Sequence, residues 1–180
     1  MSMLIAMSGL PGSGKSAVAD ALGALLAAPV LSVDPVEAAM WRAGIDRDQP
    51  TGLAAYAVVD AVAEAVLRLG QPAIVDAVND AAEARAQWRD LASRAGVPLR
   101  WIEVTCPDPD LHRRRLEGRR RNIEGLREPT WDSVRMRQAG FDGWTDGRLV
   151  LDSRRELDDN VRAALAYVTR AAPAGDAEVH

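Results

Sequence analysis

Lysine is almost absent from this chain. Lys15 is the only lysine in 180 residues, and the other 21 of the 22 basic residues are arginine. The guanine-recognition motif N-K-x-D of GTPases is therefore excluded, because the single lysine follows a glycine. Arginine is a planar fork and lysine a compact point charge. The position of the one lysine is therefore the first place to look for chemistry.

Cysteine and long apolar runs are also scarce. Cys106 is the only cysteine, so no intrachain disulfide can form, and we expect a reducing compartment. No apolar run reaches the length of about 18 residues that would span a membrane, and the apolar run 3–7 is too short for a signal peptide. We expect a cytoplasmic protein with no membrane partner.

Charge and length set two further limits. The net charge of −4 argues against the whole molecule being an electrostatic nucleic-acid binder. The length and the hydrophobic content of 48% predict one domain with a proper core. We place this domain at residues 1–170 and expect residues 171–180 to be a loose tail.

The lysine lies in the pattern G-x-x-x-x-G-K-S at residues 9–16, written GLPGSGKS. An apolar run of strand length precedes it, and the Ala- and Leu-rich segment 17–28 after it favours a helix. This context is typical of a phosphate-binding loop (P-loop). Glycine lets successive N–H groups point into one concavity, Lys15 reaches the β- and γ-phosphates, and the Ser16 hydroxyl coordinates Mg²⁺. The candidate phosphate and metal ligands in this loop are Gly9, Gly12, Ser13, Gly14, Lys15 and Ser16.

Two aspartates follow predicted strands. Asp34 comes after the strand 29–33, and Asp76 ends the strand 71–76. Ligand sites of open α/β sheets lie at the carboxyl ends of the strands. We expect Asp76 to order Mg²⁺ in the manner of a Walker B aspartate. Three roles stay open for Asp34: a base for a substrate hydroxyl, a Mg²⁺ ligand, and a helix N-cap before Pro35.

The residue after Asp76 is Ala77, where ATP-hydrolysing AAA-type motors usually carry a glutamate that activates water. Its absence favours transfer of a phosphoryl group to a bound acceptor over hydrolysis. The predicted helices 36–43 and 53–69 form an insert, residues 36–69, that we expect to bind the acceptor. Arg42 is a candidate acceptor contact within it. Arg85, in a predicted helix 81–95 capped by Asp80, either meets the acceptor or is solvated.

Residues 111–137 hold nine arginines against four acidic residues, a local balance of +5. Three interpretations compete: a lid that closes over ATP, a nucleic-acid patch, and a solvated helix face. Arg115 and Arg119 are four residues apart, so one helical face would carry both to the same polyphosphate. We favour the lid because the net charge opposes the nucleic-acid patch.

Further strands are predicted at 98–106 and 147–152, and Ser153 with Glu156 reads as a capping box that opens a last helix. Strands that alternate with helices predict a three-layer α/β domain with a parallel sheet.

With this pattern, Asp34, Asp76 and the arginine-rich segment, residues 1–170 resemble the small P-loop kinases. The chain is most similar to the AAA-type ATP-binding family that includes chloramphenicol phosphotransferase-like, zeta toxin-like and polynucleotide kinase-like proteins. Gluconate and shikimate kinases share the architecture. The resemblance implies a five-stranded parallel sheet in the order 2-3-1-4-5, ATP with Mg²⁺, and a hydroxyl acceptor. It further implies Asp34 as the base and Arg115 and Arg119 as catalytic lid residues that contact ATP.

Three functions are therefore compared. The first is transfer of the γ-phosphate to a small molecule such as a sugar acid, a nucleoside or an antibiotic. The second is a polynucleotide 5′-hydroxyl kinase that uses the arginine run as its groove. The third is a nucleotide-binding regulator without transfer activity. We expect a monomer or a homodimer.

Overall fold

The computed structural model describes residues 2–119, 123–124 and 128–170. Five parallel strands form one sheet in the order β2-β3-β1-β4-β5. They are β1 Leu4–Ser8, β2 Val30–Ser32, β3 Ala73–Asp76, β4 Leu99–Thr105 and β5 Arg148–Asp152. The fold class and the strand order expected from the sequence are confirmed.

Helices cover both faces of the sheet. In the described part of the chain they are α1 Lys15–Leu26, α2 Val33–Arg42, α3 Thr51–Arg68, α4 Ala82–Ala95, α5 Pro109–Gly118, α6 Trp131–Arg137 and α7 Leu157–Thr169. A 3₁₀ turn, Gln138–Phe141, follows α6. None of the described helices is long and apolar enough to cross a membrane.

The alternation of side chains along β1 produces the layers. Leu4 and Ala6 pack in a core with residues of α3 and α4, among them Trp88. Ile5 and Met7 point the other way, into a core that α1 and α7 cover. Because all five residues of β1 are buried, the strand reads as a continuous apolar run, as central parallel strands do.

A third, smaller core lies at the carboxyl edge of the sheet. Leu10, Val78, Leu116 and Val134 meet there, each from a different segment. This core packs α5 and α6 directly against the loop that follows β1. The candidate phosphate loop therefore packs against α5 and α6 as well as against the sheet.

Three predicted caps are wrong. Ser32 is the N-cap of α2, so Asp34 lies inside the first turn of that helix. Helix α4 starts one residue later than predicted, with Ala81 and not Asp80 at its N-cap. Helix α7 begins after Glu156 without a side-chain cap, because the Ser153 side chain bonds to Arg115 instead.

The arginine-rich segment is also shorter as a helix than predicted. Helix α5 ends at Gly118, and Arg119 has extended backbone angles (φ −69°, ψ 137°). Arg119 is the C-cap of α5, and its N–H still donates to the Arg115 carbonyl at 3.1 Å, so the predicted spacing of Arg115 and Arg119 by one helical turn holds at the helix end. Residues 120–122 and 125–127 of the predicted lid, and the predicted tail 171–180, lie outside the described residues.

Candidate active site

Residues 9–16 form a cradle between the end of β1 and the start of α1. Gly14 has φ +95°, and α1 begins at the next residue, Lys15. At Gly9, with φ +141°, a Cβ atom would lie 2.3 Å from the carbonyl oxygen of Val104. Only glycine fits there, because the loop lies directly on β4. The free N–H groups at the start of α1 therefore face the concavity of the loop.

Three side chains of this region converge on the Asp76 carboxylate. Ser16 donates a hydrogen bond to Asp76 Oδ2 at 2.7 Å. Ser32 donates to the same oxygen at 3.2 Å. The Lys15 Nζ atom lies 3.6 Å from Asp76 Oδ1. The register places Asp76 opposite Met7 of β1 and opposite Ser32 of β2, so these side chains meet at the ends of three adjacent strands.

The Lys15–Asp76 pair is buried, with each residue about 6% exposed. A single buried charge would be costly at this site, and each group of the pair provides the opposite charge for the other. The carboxylate also affects Asp20, whose pKa is raised first by burial and then by the charge of Asp76.

The residues around Asp76 fit a Mg²⁺–phosphate group. Oδ1 of Asp76 is buried and accepts no hydrogen bond within the described part of the chain. No cluster of three or more His, Cys, Asp or Glu able to hold a metal occurs among the described residues. Mg²⁺ is held in such proteins by one or two carboxylates together with the substrate's phosphates, so one carboxylate and one hydroxyl suffice.

Arg115 and Arg119, one helical turn apart at the end of α5, both border the cradle. They line a cleft of about 270 Å³ together with Gly12, Gly14 and Lys15. Arg115 donates to Ser153 Oγ at 2.8 Å and to the Ser153 carbonyl at 3.0 Å. Arg119 forms an ion pair with Glu128. The α5 terminus and the loop after β5 are thereby joined over the cleft.

A second cleft of about 320 Å³ continues from the first. The two share Gly14, Ala17 and Arg115, and the second extends along the loop after β5 from Ser153 to Leu157. The joined clefts run from the phosphate loop to the start of α7. This is a shape suited to a nucleotide whose phosphates lie on the cradle.

His112 supports the cradle and was missed in the sequence. Its Nε2 atom lies 2.9 Å from the carbonyl oxygen of Pro11. Because a carbonyl only accepts, Nε2 must carry the proton. The ring also packs edge-on against Trp131, with centroids 5.2 Å apart. The signal was hidden because His112 opens a run of three arginines, which suggested a solvated surface.

Asp34 is half-buried at the carboxyl end of the sheet, one residue into α2. Its charge acts on Tyr56, together with Asp80 and Arg137. The Tyr56 hydroxyl accepts a hydrogen bond from the Asn79 amide at 3.4 Å. Tyr56 and Arg137 are therefore additional candidates for the acceptor side, which the sequence did not single out. Sequence alone gave no reason to connect residues that lie in different helices.

The two other predicted acceptor contacts, Arg42 and Arg85, lie in different environments. Arg42 is exposed and donates to the carbonyl of Glu124 at 2.7 Å, which links α2 to the lid segment. Arg85 is 5% exposed, so the expectation that it is solvated is wrong. Its NH1 donates to the carbonyls of Asn79, Asp80 and Gly140 at 2.9, 2.6 and 3.1 Å. We therefore assign Arg85 to the fixing of the loop after β3 and withdraw it as an acceptor contact.

The loop after β3 is fixed by Asn79 as well. This residue is fully buried with φ +57°. Its side chain donates to the Met7 carbonyl at 2.7 Å and accepts from the Trp88 indole at 2.8 Å. Asp76 is thus followed by a rigid segment that is anchored to both β1 and α4.

Comparison with known families and structures agrees with this geometry. The model of a family described as an AAA domain matches residues 4–140. No curated protein matches the chain.

Solved structures share the fold at low sequence identity. The Mycobacterium tuberculosis APS kinase CysC in complex with AMPPNP and APS is 21% identical, with a TM-score of 0.66, over 94% of this chain and 98% of that one. A gluconokinase from Sinorhizobium meliloti 1021 is 18% identical, with a TM-score of 0.67, over 92% of this chain and 91% of that one. Chaetomium thermophilum Kti12 in complex with ADP-AlF3 is 19% identical, with a TM-score of 0.66, over 93% of this chain and 100% of that one.

Proposed function

Because the chain belongs to the AAA domain family, whose model covers residues 4–140, we propose that it is an ATP- and Mg²⁺-dependent phosphotransferase. It moves the γ-phosphate to a hydroxyl group of a small molecule, such as a sugar acid, a nucleoside or an antibiotic. The observation that carries the proposal is the convergence of Lys15, Ser16 and Ser32 on Asp76, next to the cleft that Lys15 and Ser16 line.

Each residue has a stated task in this proposal. The cradle N–H groups and Lys15 bind the β- and γ-phosphates. The Ser16 hydroxyl and the Asp76 carboxylate hold Mg²⁺, which supplies positive charge to the phosphate oxygens when it is bound. Arg115 and Arg119 neutralise the negative charge that develops on the transferred group.

The proposed phosphoryl transfer needs no reactant other than ATP and the acceptor. Asp34 accepts the proton of the acceptor hydroxyl, whose oxygen forms a bond to the γ-phosphorus. The bond between the γ-phosphorus and the bridging oxygen breaks, and ADP leaves with that electron pair. Ala77 stands where motors carry a glutamate, so this chain has no such residue to activate water in place of the acceptor.

Two related structures support a nucleotide and a small acceptor in this fold. APS kinase holds AMPPNP and APS together, and Kti12 holds ADP-AlF3. Those ligands are bound by those proteins. At sequence identities of 21% and 19%, the two structures share only the fold with this chain.

The first test is an acceptor screen. The purified protein with ATP and Mg²⁺ is incubated with pooled sugars, sugar acids, nucleosides, aminoglycoside-like compounds and oligonucleotides, and ADP release is followed above the acceptor-free rate. We expect stimulation by one small-molecule pool. Nucleotide binding without stimulation by any pool would contradict the proposal and favour a regulator without transfer activity.

Two matched variants then test the assigned roles. Asp34→Asn is expected to keep ATP affinity and lose at least about 100-fold in kcat, because the general base is removed. Asp80→Asn is the control, since it changes a second carboxylate near Tyr56 that has no assigned role in proton transfer. Full turnover in the Asp34 variant would remove Asp34 as the base while leaving the transfer reaction in place.

The polynucleotide kinase is the second candidate, favoured by the local balance of +5 in residues 111–137. It predicts that an oligonucleotide 5′-hydroxyl is the preferred acceptor. It also predicts that log affinity falls with log salt by about 0.7 per neutralised phosphate of a single strand. Indifference to oligonucleotides at low salt would exclude it.

A further inference from the structure

The outer face of α3 is apolar over almost its whole length. Its exposed positions, which we call the α3 face, are Leu53, Ala54, Ala57, Val58, Ala61, Val62 and Ala65. Leu53 is 77% exposed, and Val58 and Val62 are 42% and 44% exposed. The only charged residue among the exposed positions of α3 is Arg68, at its end. Nothing in the proposed phosphotransfer uses this surface.

The neighbouring helix shows what an ordinary solvent face looks like in the same protein. The exposed positions of α4 are Ala82, Glu83, Arg89, Asp90, Ser93 and Arg94. Five of these six side chains are polar or charged, against none of the seven on the α3 face. An amphipathic surface helix normally turns its polar side to water. Helix α3 instead has a buried apolar side and an exposed apolar side.

The spacing on the α3 face is that of a helix-packing surface. The positions repeat as pairs four residues apart, so they form a ridge that is inclined by about 26° to the helix axis. Four of the seven are alanine, and small side chains let two helix axes approach to about 8 Å. The stripe from residue 53 to residue 65 is about 18 Å long at 1.5 Å per residue.

We propose that the α3 face pairs antiparallel with the α3 face of a second copy of this chain, across a twofold axis near residue 59. Twofold dimers are the commonest assemblies of identical chains. About such an axis, Arg68 of one copy lies beside residue 50 of the other. The exposed residues Asp46 and Asp48 precede that point, so each helix end meets the opposite charge. A parallel pairing would place Arg68 against Arg68.

The charge around the stripe also argues against a membrane as the occupant. Asp60 and Glu64 border the α3 face on the side of α4, where both lie near Arg94. Helices that lie on membranes carry lysine and arginine beside their apolar stripe. An acidic border is repelled by anionic lipid, and it is acceptable beside a protein partner.

The size of the surface sets the expected affinity. A stripe about 18 Å long and about 10 Å wide covers roughly 200 Å² in projection. Stable interfaces bury about 800 Å² per partner. The face is smaller than that of a stable dimer, so we expect a weak dimer that forms only at high protein concentration.

Sedimentation equilibrium between about 1 and 200 micromolar tests the pairing. Wild type is expected to dimerise, and Ala61→Glu to weaken the dimer at least about 10-fold, because the twofold axis places two added charges in one interface. Ala166→Glu is the matched control on the exposed side of α7 and leaves the dimer unchanged. Far-UV circular dichroism verifies that each variant is folded, and Val62→Ser serves as a milder second variant.

A charge exchange tests the antiparallel register. Arg68→Asp and Asp48→Arg each weaken the dimer, and the double variant restores it. A wild-type chain that stays monomeric over the whole range overturns the proposal, and so does a dimer that Ala61→Glu does not weaken. Loss of the dimer in Ala61→Glu without rescue in the charge exchange supports the face and overturns the register.

Discussion

The Tyr56 hydroxyl lies between the acceptor side of the site and the core under α3. Burial raises the pKa of Tyr56 well above its usual range. The hydrogen bond from the Asn79 amide and the charge of Arg137 lower it, while the charges of Asp80 and Asp34 raise it. The net result is a raised pKa of Tyr56, so the folded chain keeps this hydroxyl protonated at a pH where the unfolded chain loses the proton.

A loss of stability at alkaline pH follows from this residue. The stabilising contribution is fully present below pH about 10 and is lost as the pH rises further, by up to about 1.4 kcal/mol per pH unit. Tyr56→Phe should flatten this part of the stability curve, measured by urea unfolding from neutral to alkaline pH. Tyr167→Phe is the control, because its pKa is also raised by burial but it is only half-buried. Equal alkaline slopes in wild type and Tyr56→Phe would contradict the assignment.

His112 is a positioning residue for the cradle in our proposal, and it does not touch the reacting groups. His112→Leu removes the donor to Pro11 and leaves a buried carbonyl without its partner, which costs about 1–3 kcal/mol. We expect a lower melting temperature and a weaker affinity for ADP by calorimetry. His112→Gln keeps a donor of similar reach and should recover much of the ADP affinity. If both variants bind ADP like wild type, His112 only packs against Trp131.

Among single residues, the sequence singled out those that belong to a motif and missed those whose position depends only on packing. The spacing of residues 9–16 singled out Lys15 and Ser16, and the structure brings both to Asp76; their contacts with phosphate and Mg²⁺ stay predictions. Arg85 was misjudged because an arginine in a helix is usually exposed, whereas here three carbonyls surround its NH1. Contacts between distant segments leave no periodic trace in a single sequence.

Helix α5 is the part of the predicted lid that contacts the cradle. Leu116 packs in the small core at the carboxyl edge, and a Cβ on Gly12 would lie 3.2 Å from it. Two residues later the helix ends at Gly118, where an added Cβ would meet none of the described residues within 4 Å. The first two turns of α5 are therefore fixed to the cradle, while the described residues leave space around its end.

Glycine-to-alanine changes at two helix ends should have opposite effects on stability. Gly118→Ala adds a methyl group into open space at the end of a helix and should leave the free energy of unfolding unchanged or raise it by up to about 1 kcal/mol. Gly96→Ala forces a Cβ into φ +63° at the end of α4 and should lower it by about 1 kcal/mol. Urea unfolding of both variants measures this pair. A destabilised Gly118→Ala would mean that the segment after α5 packs against this position. If the lid must bend at Gly118, the same variant lowers kcat and leaves ADP affinity intact.

Element boundaries were predictable only where local chemistry was unopposed. Asp108, which precedes Pro109, caps α5, and its Oδ1 accepts from the Leu111 amide at 3.0 Å. Ser153 and Glu156 have the letters of a capping box, but the Arg115 guanidinium competes for the serine and wins. A charged donor makes a stronger hydrogen bond than a backbone amide, so the local motif yields to the tertiary contact.

Across the whole molecule, the order of strands and helices followed from alternation along the chain. The continuous apolar strands and the short connections leave few right-handed parallel arrangements. What the sequence could not reveal is which helix face stays uncovered. Several apolar positions of α3 lie on its exposed side. That distinction depends on which elements pack beside α3.

Nucleotide binding should stabilise the entire fold, because the cradle exists only in the folded chain. ATP with Mg²⁺ at 100 times its dissociation constant adds about 2.7 kcal/mol. For a domain of this size that is a rise of roughly 5–10 °C in melting temperature. Differential scanning fluorimetry with ATP, with and without Mg²⁺, measures the shift. Lys15→Ala should abolish it, and an undiminished shift in that variant would place the nucleotide elsewhere.

The buried position of Lys15 has a practical consequence for chemical labelling. Lys15 is the only side-chain amine in 180 residues, and it is 6% exposed at the floor of the cradle. An acylating reagent directed at lysine therefore has a single internal target in this sequence. We expect acylation of Lys15, read by peptide mapping that separates it from the N-terminal amine, to slow further when a nucleotide fills the cradle. Because lysine is scarce, the acylation of one residue can be used to follow the binding of nucleotide in the cradle.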